Sequence, residues 1–208
     1  MPSVDFRLYL VTDRQQTAGR PLVSVVGRAV SAGVRAVQLR ERDLPIRELL
    51  SLALDLQREL SDMQLFINDR VDLAVALGCR GVHLRESSLP ASVVRTLVRP
   101  SQLLGLSVHS IQGAVAAERH GADFVVLGPI YDTPSKRAYG APLGLQVLEQ
   151  AARAVNIPIF AIGGMTASRT REVRQAGAFG VAVLSSILSA SNVEAATEKF
   201  LSAIERES

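Results

Sequence analysis

The chain has 208 residues, of which 48% are hydrophobic and 21% charged, a composition that excludes disordered and fibrous proteins. Its formal net charge is only +3, and acidic and basic residues are interspersed, so nucleic acid is not an expected partner. No segment is apolar enough to span a membrane, and the N-terminal residues lack the basic and then apolar order of a signal peptide. With Cys79 as the single cysteine, these features predict a cytoplasmic protein.

Short apolar runs rich in β-branched residues alternate along the chain with amphipathic stretches of helical spacing. The predicted strands are, in chain order, residues 8–13, 36–41, 65–69, 81–86, 104–110, 124–130, 159–164 and 180–186. Helix ends agree with this division, because Thr166 is a suitable N-terminal cap and several glycines follow helical runs. These glycines are Gly33, Gly78, Gly121 and Gly177.

Strand followed by helix, repeated about eight times, is the signature of a (β/α)₈ TIM barrel. We therefore predict a single compact domain over residues 1–208. The alternative is a doubly wound open sheet. Two features weigh against it: the strand count is high for an open sheet of this length, and no G-x-G-x-x-G follows the first strand.

The C-terminal ends of the strands meet on one face of such a barrel, and that face contains the active site. The residues at these ends are unusually polar and include bases, carboxylates, amides and glycines. This set suits a phosphorylated or diphosphorylated ligand, with or without a divalent cation. Gly163 and Gly164 after the seventh strand, and Ser185 and Ser186 after the eighth, are in the usual place of a barrel phosphate site. A plain tight turn is the alternative for the two glycines.

Several strings of residues occur in order over nearly the whole chain: "LYLVTD", "VQLRERD", "FINDRVDLAVALGCRGVHL", "SVHS", "GADFVVLGPIYDTPSK", "APLGL", "IPIFAIGGM" and "QAGAFGVAVLSSI". On these strings the sequence resembles the thiamine phosphate synthase and TenI-like family. The resemblance implies a TIM barrel that binds a thiazole phosphate. Synthases of the family join that thiazole to a pyrimidine diphosphate with Mg²⁺, whereas TenI-like members isomerise a thiazole carboxylate phosphate. Small phosphorylated thiazole and pyrimidine diphosphate ligands are the implied partners, and a homodimer is a possible assembly.

The "QLRERD" segment corresponds to the part of a synthase that grips the pyrimidine diphosphate. The resemblance assigns this role to Gln38, Arg40 and Arg42, where the family usually has Lys near the position of Arg42. Arg40 would also stabilise the departing diphosphate. The alternative is a surface ion-pair network with Glu41 and Asp43.

The "IND" segment supplies Asn68 and Asp69. By resemblance Asn68 contacts the pyrimidine and Asp69 ligates Mg²⁺, a hard cation that prefers carboxylate and diphosphate oxygens. Alternatively, Asp69 only caps the helix that begins at Arg70.

The "TPSK" segment forms a loop after the sixth strand. Thr133 and Ser135 offer hydroxyl groups and Lys136 a mobile cation, so the loop suits an anionic ligand. By resemblance it binds and covers the thiazole phosphate, with Gly163, Gly164, Leu184 and Ser185 also in contact with substrate, and Lys136 stabilises the leaving diphosphate. A solvated surface loop is the alternative.

The chain departs from both activities of the family at single positions. A typical synthase has a second Mg²⁺-binding Asp after "GVHL", and the matching residue here is Ser88. Glu86 could replace it, whereas Arg85 adds a positive charge that would bind diphosphate directly but weaken a cation site. The catalytic His of the characterised TenI type falls where this chain has Pro129.

The three histidines differ in their expected roles. Packing or solvent exposure is expected for His83 and His120. Ser107, at the end of the fifth strand, is a predicted substrate-binding residue. His109 lies beside it, where it could shuttle a proton or only make a structural hydrogen bond.

Three functions remain open. The first is synthesis of thiamine phosphate with Mg²⁺. The second is a cofactor-free thiazole tautomerase that uses His109 or Glu86 as its acid and base. The third is a catalytically silent relative that binds phosphorylated ligands or regulates.

Overall fold

The structure is a computed structural model that describes residues 3–60, 62–133 and 141–205. Eight parallel strands close into one barrel, each strand paired with its neighbours in chain order and the last paired with the first. The strands are β1 (Leu8–Val11), β2 (Ala36–Leu39), β3 (Gln64–Asn68), β4 (Gly81–Leu84), β5 (Leu103–Val108), β6 (Phe124–Leu127), β7 (Ile159–Ala161) and β8 (Gly180–Val183). The predicted TIM barrel is thereby confirmed, and the open sheet is excluded.

Helices follow the strands and surround the barrel. They are α1 (Leu22–Ser31), α2 (Ile46–Glu59), α3 (Val71–Ala76), α4 (Ala91–Leu97), α5 (Ile111–Arg119), α6 (Gly144–Ala154), α7 (Ala167–Gln175), α8 (Ser185–Leu188) and α9 (Val193–Glu205). A short 3₁₀ helix, Arg14–Gln16, follows β1. Within the described ranges, no helix is both long and apolar enough to cross a bilayer.

Two apolar clusters stabilise this arrangement because successive strand residues point to opposite faces. Outward residues such as Leu10 and Val37 pack against the helices. Inward residues form a separate cluster rich in aromatic rings. Tyr9 and Phe124, for example, are edge-on with ring centroids 5.6 Å apart. The rings fill the barrel interior, so polar chemistry is confined to the layer above them and to the mouth.

The helix ends match the sequence prediction. The backbone at Gly33, Gly78, Gly121 and Gly177 has φ between 61° and 112°, the left-handed conformation expected after a helix. Thr166 caps α7 by accepting a hydrogen bond from the backbone N–H of Arg169, 3.3 Å away.

Candidate functional site

A layer of polar side chains lies inside the barrel directly above the aromatic rings. Gln38 Nε2 donates to the Tyr9 hydroxyl at 3.4 Å, and His83 Nδ1 lies 3.5 Å from the same hydroxyl. His83 Nε2 lies 2.9 Å from Ser107 Oγ. Complete burial, with a smaller effect of the Arg40 charge, lowers the pKa of His83 to about 3. His83 is therefore a neutral, packed histidine, as the sequence indicated, and Gln38 and Ser107 are fixed by the same network.

Arg40 follows β2 at the mouth of the barrel and is half-buried. Its backbone N–H donates to Thr12 Oγ1 at 2.9 Å, which fixes the start of the loop. Burial lowers the pKa of the guanidinium, and the positive charges of Arg42 and Arg85 lower it further. Along the described chain, neither Arg40 nor Arg42 has a side-chain hydrogen bond or ion pair. Arg42 and Arg85 thus lie near enough to Arg40 for their charges to act on it, and the Asp13 and Glu41 carboxylates act on it in the opposite sense. A bound anion would stabilise these guanidinium groups further.

Glu41 and Asp43 pair with Arg14 and not with Arg40 or Arg42. Glu41 is only 5% exposed, and it accepts from Thr12 Oγ1 at 2.6 Å and from the Arg14 backbone N–H at 3.0 Å. Asp43 binds Arg14 through both carboxylate oxygens, at 2.6 and 2.8 Å, and this contact lowers the pKa of Asp43 to about 2. The ion-pair network is real, but it leaves the other two arginines out. No motif or spacing in the sequence indicates that Arg14 holds Glu41 and Asp43.

Asp69 lies at the centre of a second group of residues. Its carboxylate accepts from Arg85 Nε and from Ser88 Oγ, and the Ser88 hydroxyl also accepts from the Arg85 backbone N–H at 2.9 Å. It does not cap α3, whose first turn has no side-chain cap, so that alternative is wrong. The Asp69 backbone has φ of 61°, a conformation that non-glycine residues rarely adopt. Asn68 is buried beside it at the end of β3.

Glu86 and His109 lie one strand further around the barrel. Glu86 Oε1 accepts from the His109 backbone N–H at 3.2 Å, so Glu86 is turned toward β5 and not toward Asp69. His109 Nδ1 donates to the Gly128 carbonyl oxygen at 2.5 Å. This hydrogen bond leaves Nε2 as the basic nitrogen of an exposed ring. His120 is exposed at the end of α5, as expected.

The loop after β7, which contains Gly163 and Gly164, lies on the opposite side of the barrel mouth. Gly163 and Gly164 have φ of 96° and 63°, and a Cβ atom on either would approach the loop after β6 too closely. At Gly164 it would lie 2.8 Å from Tyr131 Cβ. The buried hydroxyl of Thr133 has no hydrogen-bond partner among the described residues. Since buried hydroxyl groups are normally bonded, this oxygen is a candidate contact for a ligand.

The remaining predicted site residues have different positions. Leu184 precedes α8 and Ser185 is its exposed first residue, next to the glycine loops on the neighbouring strand. Ser135 and Lys136 lie outside the described residues. The structure thus brings together Arg40, Arg42 and Arg85 on the side of β2 to β4, and Thr133 and the glycines on the side of β6 and β7.

A closed (β/α)₈ barrel with arginines on one side of its mouth and tightly packed glycine loops on the other defines a TIM-barrel protein with its site at the C-terminal ends of the strands. A family model described as thiamine monophosphate synthase matches residues 8–187. The chain therefore belongs to the thiamine monophosphate synthase family.

Relatives agree with this assignment. The chain is 50% identical over 191 residues to a Geobacter sulfurreducens protein provisionally described as a thiamine-phosphate synthase, covering 90% of this chain and 89% of that protein. It is 42% identical to the thiamine-phosphate synthase of Roseiflexus castenholzii, covering 91% and 84%. The solved thiamine phosphate pyrophosphorylase of Pyrococcus furiosus superposes with a TM-score of 0.88 at 33% identity, covering 97% of this chain and 96% of that one.

Proposed function

We propose that the protein is a thiamine-phosphate synthase, which couples hydroxymethylpyrimidine diphosphate to thiazole phosphate with release of diphosphate. Family membership and the similarity to proteins of that name support this activity. The structural observation that supports it best is the half-buried Arg40 guanidinium, which has no partner among the described residues and lies near two further guanidinium groups. Such a group suits a ligand with several negative charges.

The reaction needs charge stabilisation more than it needs a nucleophilic side chain. The C–O bond between the pyrimidine methylene carbon and the diphosphate breaks, and the electron pair leaves with the diphosphate oxygen. The thiazole nitrogen forms the new C–N bond to the same carbon. Arg40 and Arg42 stabilise the negative charge that develops on the leaving group. Lys136 is proposed to act with them from the loop.

The Mg²⁺ expected from the resemblance stays a prediction, and no step is assigned to it. Asp69 would be its ligand, but both carboxylate oxygens already accept bonds, from Arg85 and Ser88. Glu86 is turned to the His109 backbone. In the part of the chain that the structure describes, no group of three His, Cys, Asp or Glu side chains could hold a metal ion. These residues do not fit a site built from two carboxylates.

The second candidate is a cofactor-free thiazole tautomerase. It is favoured by one observation, the hydrogen bond from His109 Nδ1 to Gly128, which orients the ring and leaves Nε2 able to take a proton. A synthase releases diphosphate from the two substrates, whereas a tautomerase converts thiazole carboxylate phosphate alone. Loss of that conversion in His109→Ala would support the tautomerase, and an unchanged rate would remove His109 from it.

Separate titrations with thiazole phosphate and pyrimidine diphosphate test the proposed function directly. Binding of both ligands followed by diphosphate release is expected for the synthase. Binding of both without turnover would instead indicate a silent relative. Lys136→Ala should weaken thiazole phosphate binding under each function, because it removes a cation from the loop. Arg58→Ala, on the exposed face of α2, is the matched control.

We also propose that the protein acts in the cytoplasm as a homodimer. Leu89, in the turn before α4, and Val93 and Leu97, one helical turn apart on α4, are 56%, 46% and 52% exposed. An exposed apolar stripe of this kind is favourable when a second copy covers it, and a two-fold interface needs only one such surface. Light scattering after size exclusion should give a dimer mass for the natural chain and a monomer mass for Leu89→Glu/Leu97→Glu. A natural chain of monomer mass would exclude this assembly.

A further inference from the structure

We propose that the Arg85 guanidinium, held in place by Asp69, binds the diphosphate directly and takes the place of a carboxylate-bound metal ion in this protein. The inference rests on the proposed function, since diphosphate is the leaving group of that reaction. It assigns the role to the first residue after β4, three residues before Ser88, where the chain departs from the synthase pattern.

The bonding of Arg85 leaves its terminal nitrogens available. Only Nε contacts Asp69, and the side chain is 40% exposed. Among the described residues, neither Nη1 nor Nη2 has a hydrogen-bond or ion-pair partner. Two parallel N–H groups match two oxygens of a phosphate group, a geometry that makes Arg a strong phosphate ligand.

Ser88 and Asp69 orient Arg85 from two directions. The Ser88 hydroxyl donates to Asp69 and accepts from the Arg85 backbone, so the turn from Arg85 to Ser88 is tied to the end of β3. Ser88 is the residue that matches the second metal-binding Asp in synthases. In this chain it stabilises the Asp69 and Arg85 pair and supplies no negative charge.

The charges around this pair favour an anion over a second cation. Asp69 and Arg85 neutralise each other, and Glu41 is paired with Arg14. Arg40 and Arg42 add two positive charges from the adjacent loop, against one negative charge from Asp13 near Arg40. A divalent cation at Asp69 would have to displace Arg85 and would be repelled by all three guanidinium groups. A diphosphate interacts favourably with each of them. During the reaction, the Arg85 N–H groups donate to the diphosphate oxygens as the C–O bond breaks, and no proton is transferred.

Calorimetric titration with inorganic diphosphate tests the proposal without relying on turnover. In the presence of a chelator, the natural protein should bind diphosphate, and Arg85→Ala should bind it about 10- to 100-fold more weakly, the effect of losing charge-assisted hydrogen bonds. Arg58→Ala removes one equally positive but remote side chain and should bind as the natural protein does. Arg85→Gln keeps much of the side-chain length and should also bind weakly, so a loss caused by misfolding of the alanine variant would be recognised.

Two further variants separate bracing from metal binding. In the presence of a chelator, Asp69→Asn should bind diphosphate within about threefold of the natural protein. The substitution weakens the support of Arg85 but also removes a carboxylate whose negative charge repels the anion. Arg85→Ala/Ser88→Asp restores two carboxylates, and its diphosphate affinity should increase at least tenfold when Mg²⁺ is added. The proposal is overturned if Arg85→Ala binds diphosphate as tightly as the natural protein, or if the natural protein needs Mg²⁺ for binding and Asp69→Asn abolishes it.

The proposed function can fail independently. Arg85-dependent binding of diphosphate without formation of thiamine phosphate would leave the role of Arg85 intact and refute the synthase. Formation of thiamine phosphate, together with unchanged diphosphate binding in Arg85→Ala, would support the synthase and refute the role of Arg85.

Discussion

Replacing Glu41 with Gln should destabilise the protein and weaken the attachment of Arg14. Glu41 is 5% exposed, and its two oxygens accept from Thr12, from the Arg14 backbone and from Arg14 Nη1. Gln keeps one accepting oxygen and replaces the other with an N–H donor. If the amide nitrogen faces Arg14, two donors meet. If it faces Thr12, that hydroxyl loses its acceptor while it must still accept from the Arg40 backbone N–H.

Either orientation removes at least one bond to a charged group, so we expect a loss of about 2 to 3 kcal/mol in the free energy of unfolding. Urea denaturation at pH 7, followed by circular dichroism, measures this loss as a shift of the midpoint at constant slope. Asp43→Asn is the matched control because Asp43 binds the same Arg14 but is exposed, and its effect should be clearly smaller. Equal stability of Glu41→Gln and the natural protein, or equal losses in the two variants, would refute the bracing role.

Three other changes probe the interior and the glycine side of the mouth. Gly164→Val should abolish thiazole phosphate binding because its Cβ would lie 2.8 Å from the next loop, whereas Gly19→Val, with φ of 77° but nothing within 4 Å, should keep it in the same titration. His83 gains a proton at about pH 6.5 in the unfolded chain but only at about pH 3 in the folded barrel, so stability falls as pH drops between these values. This dependence can reach about 1.4 kcal/mol per pH unit, and it should be weaker in His83→Gln but unchanged in His120→Gln. Parallel curves of unfolding free energy against pH for the natural protein and both variants would contradict this. Thr133→Val should leave stability unchanged or higher, because the buried hydroxyl has no described partner, and should weaken thiazole phosphate binding about tenfold; unchanged affinity would exclude Thr133 from the site.

The strand and helix order was predictable because it depends on local patterns. Apolar alternation, glycines after helices and the Thr166 cap act over a few residues, and all eight strands overlap the predicted ranges. The ends of the strands were less predictable. The first predicted strand ran to residue 13, but β1 ends at Val11, and the Thr12 side chain beyond it bonds to Glu41 in the loop after β2.

The order of strands and helices along the chain is enough to place the polar residues at one end of a barrel, because parallel strands share a direction. Which of these side chains are already paired with other residues, and which can contact a ligand, depends on the three-dimensional arrangement of the loops. Glu41 is bound to Arg14, 27 residues away, and Asp69 to Arg85, 16 residues away. Such pairs depend on how neighbouring loops face each other across the mouth. Local sequence patterns do not predict contacts between residues so far apart in the chain. For the same reason Glu86, placed by sequence near the metal position, turns instead to the backbone of His109.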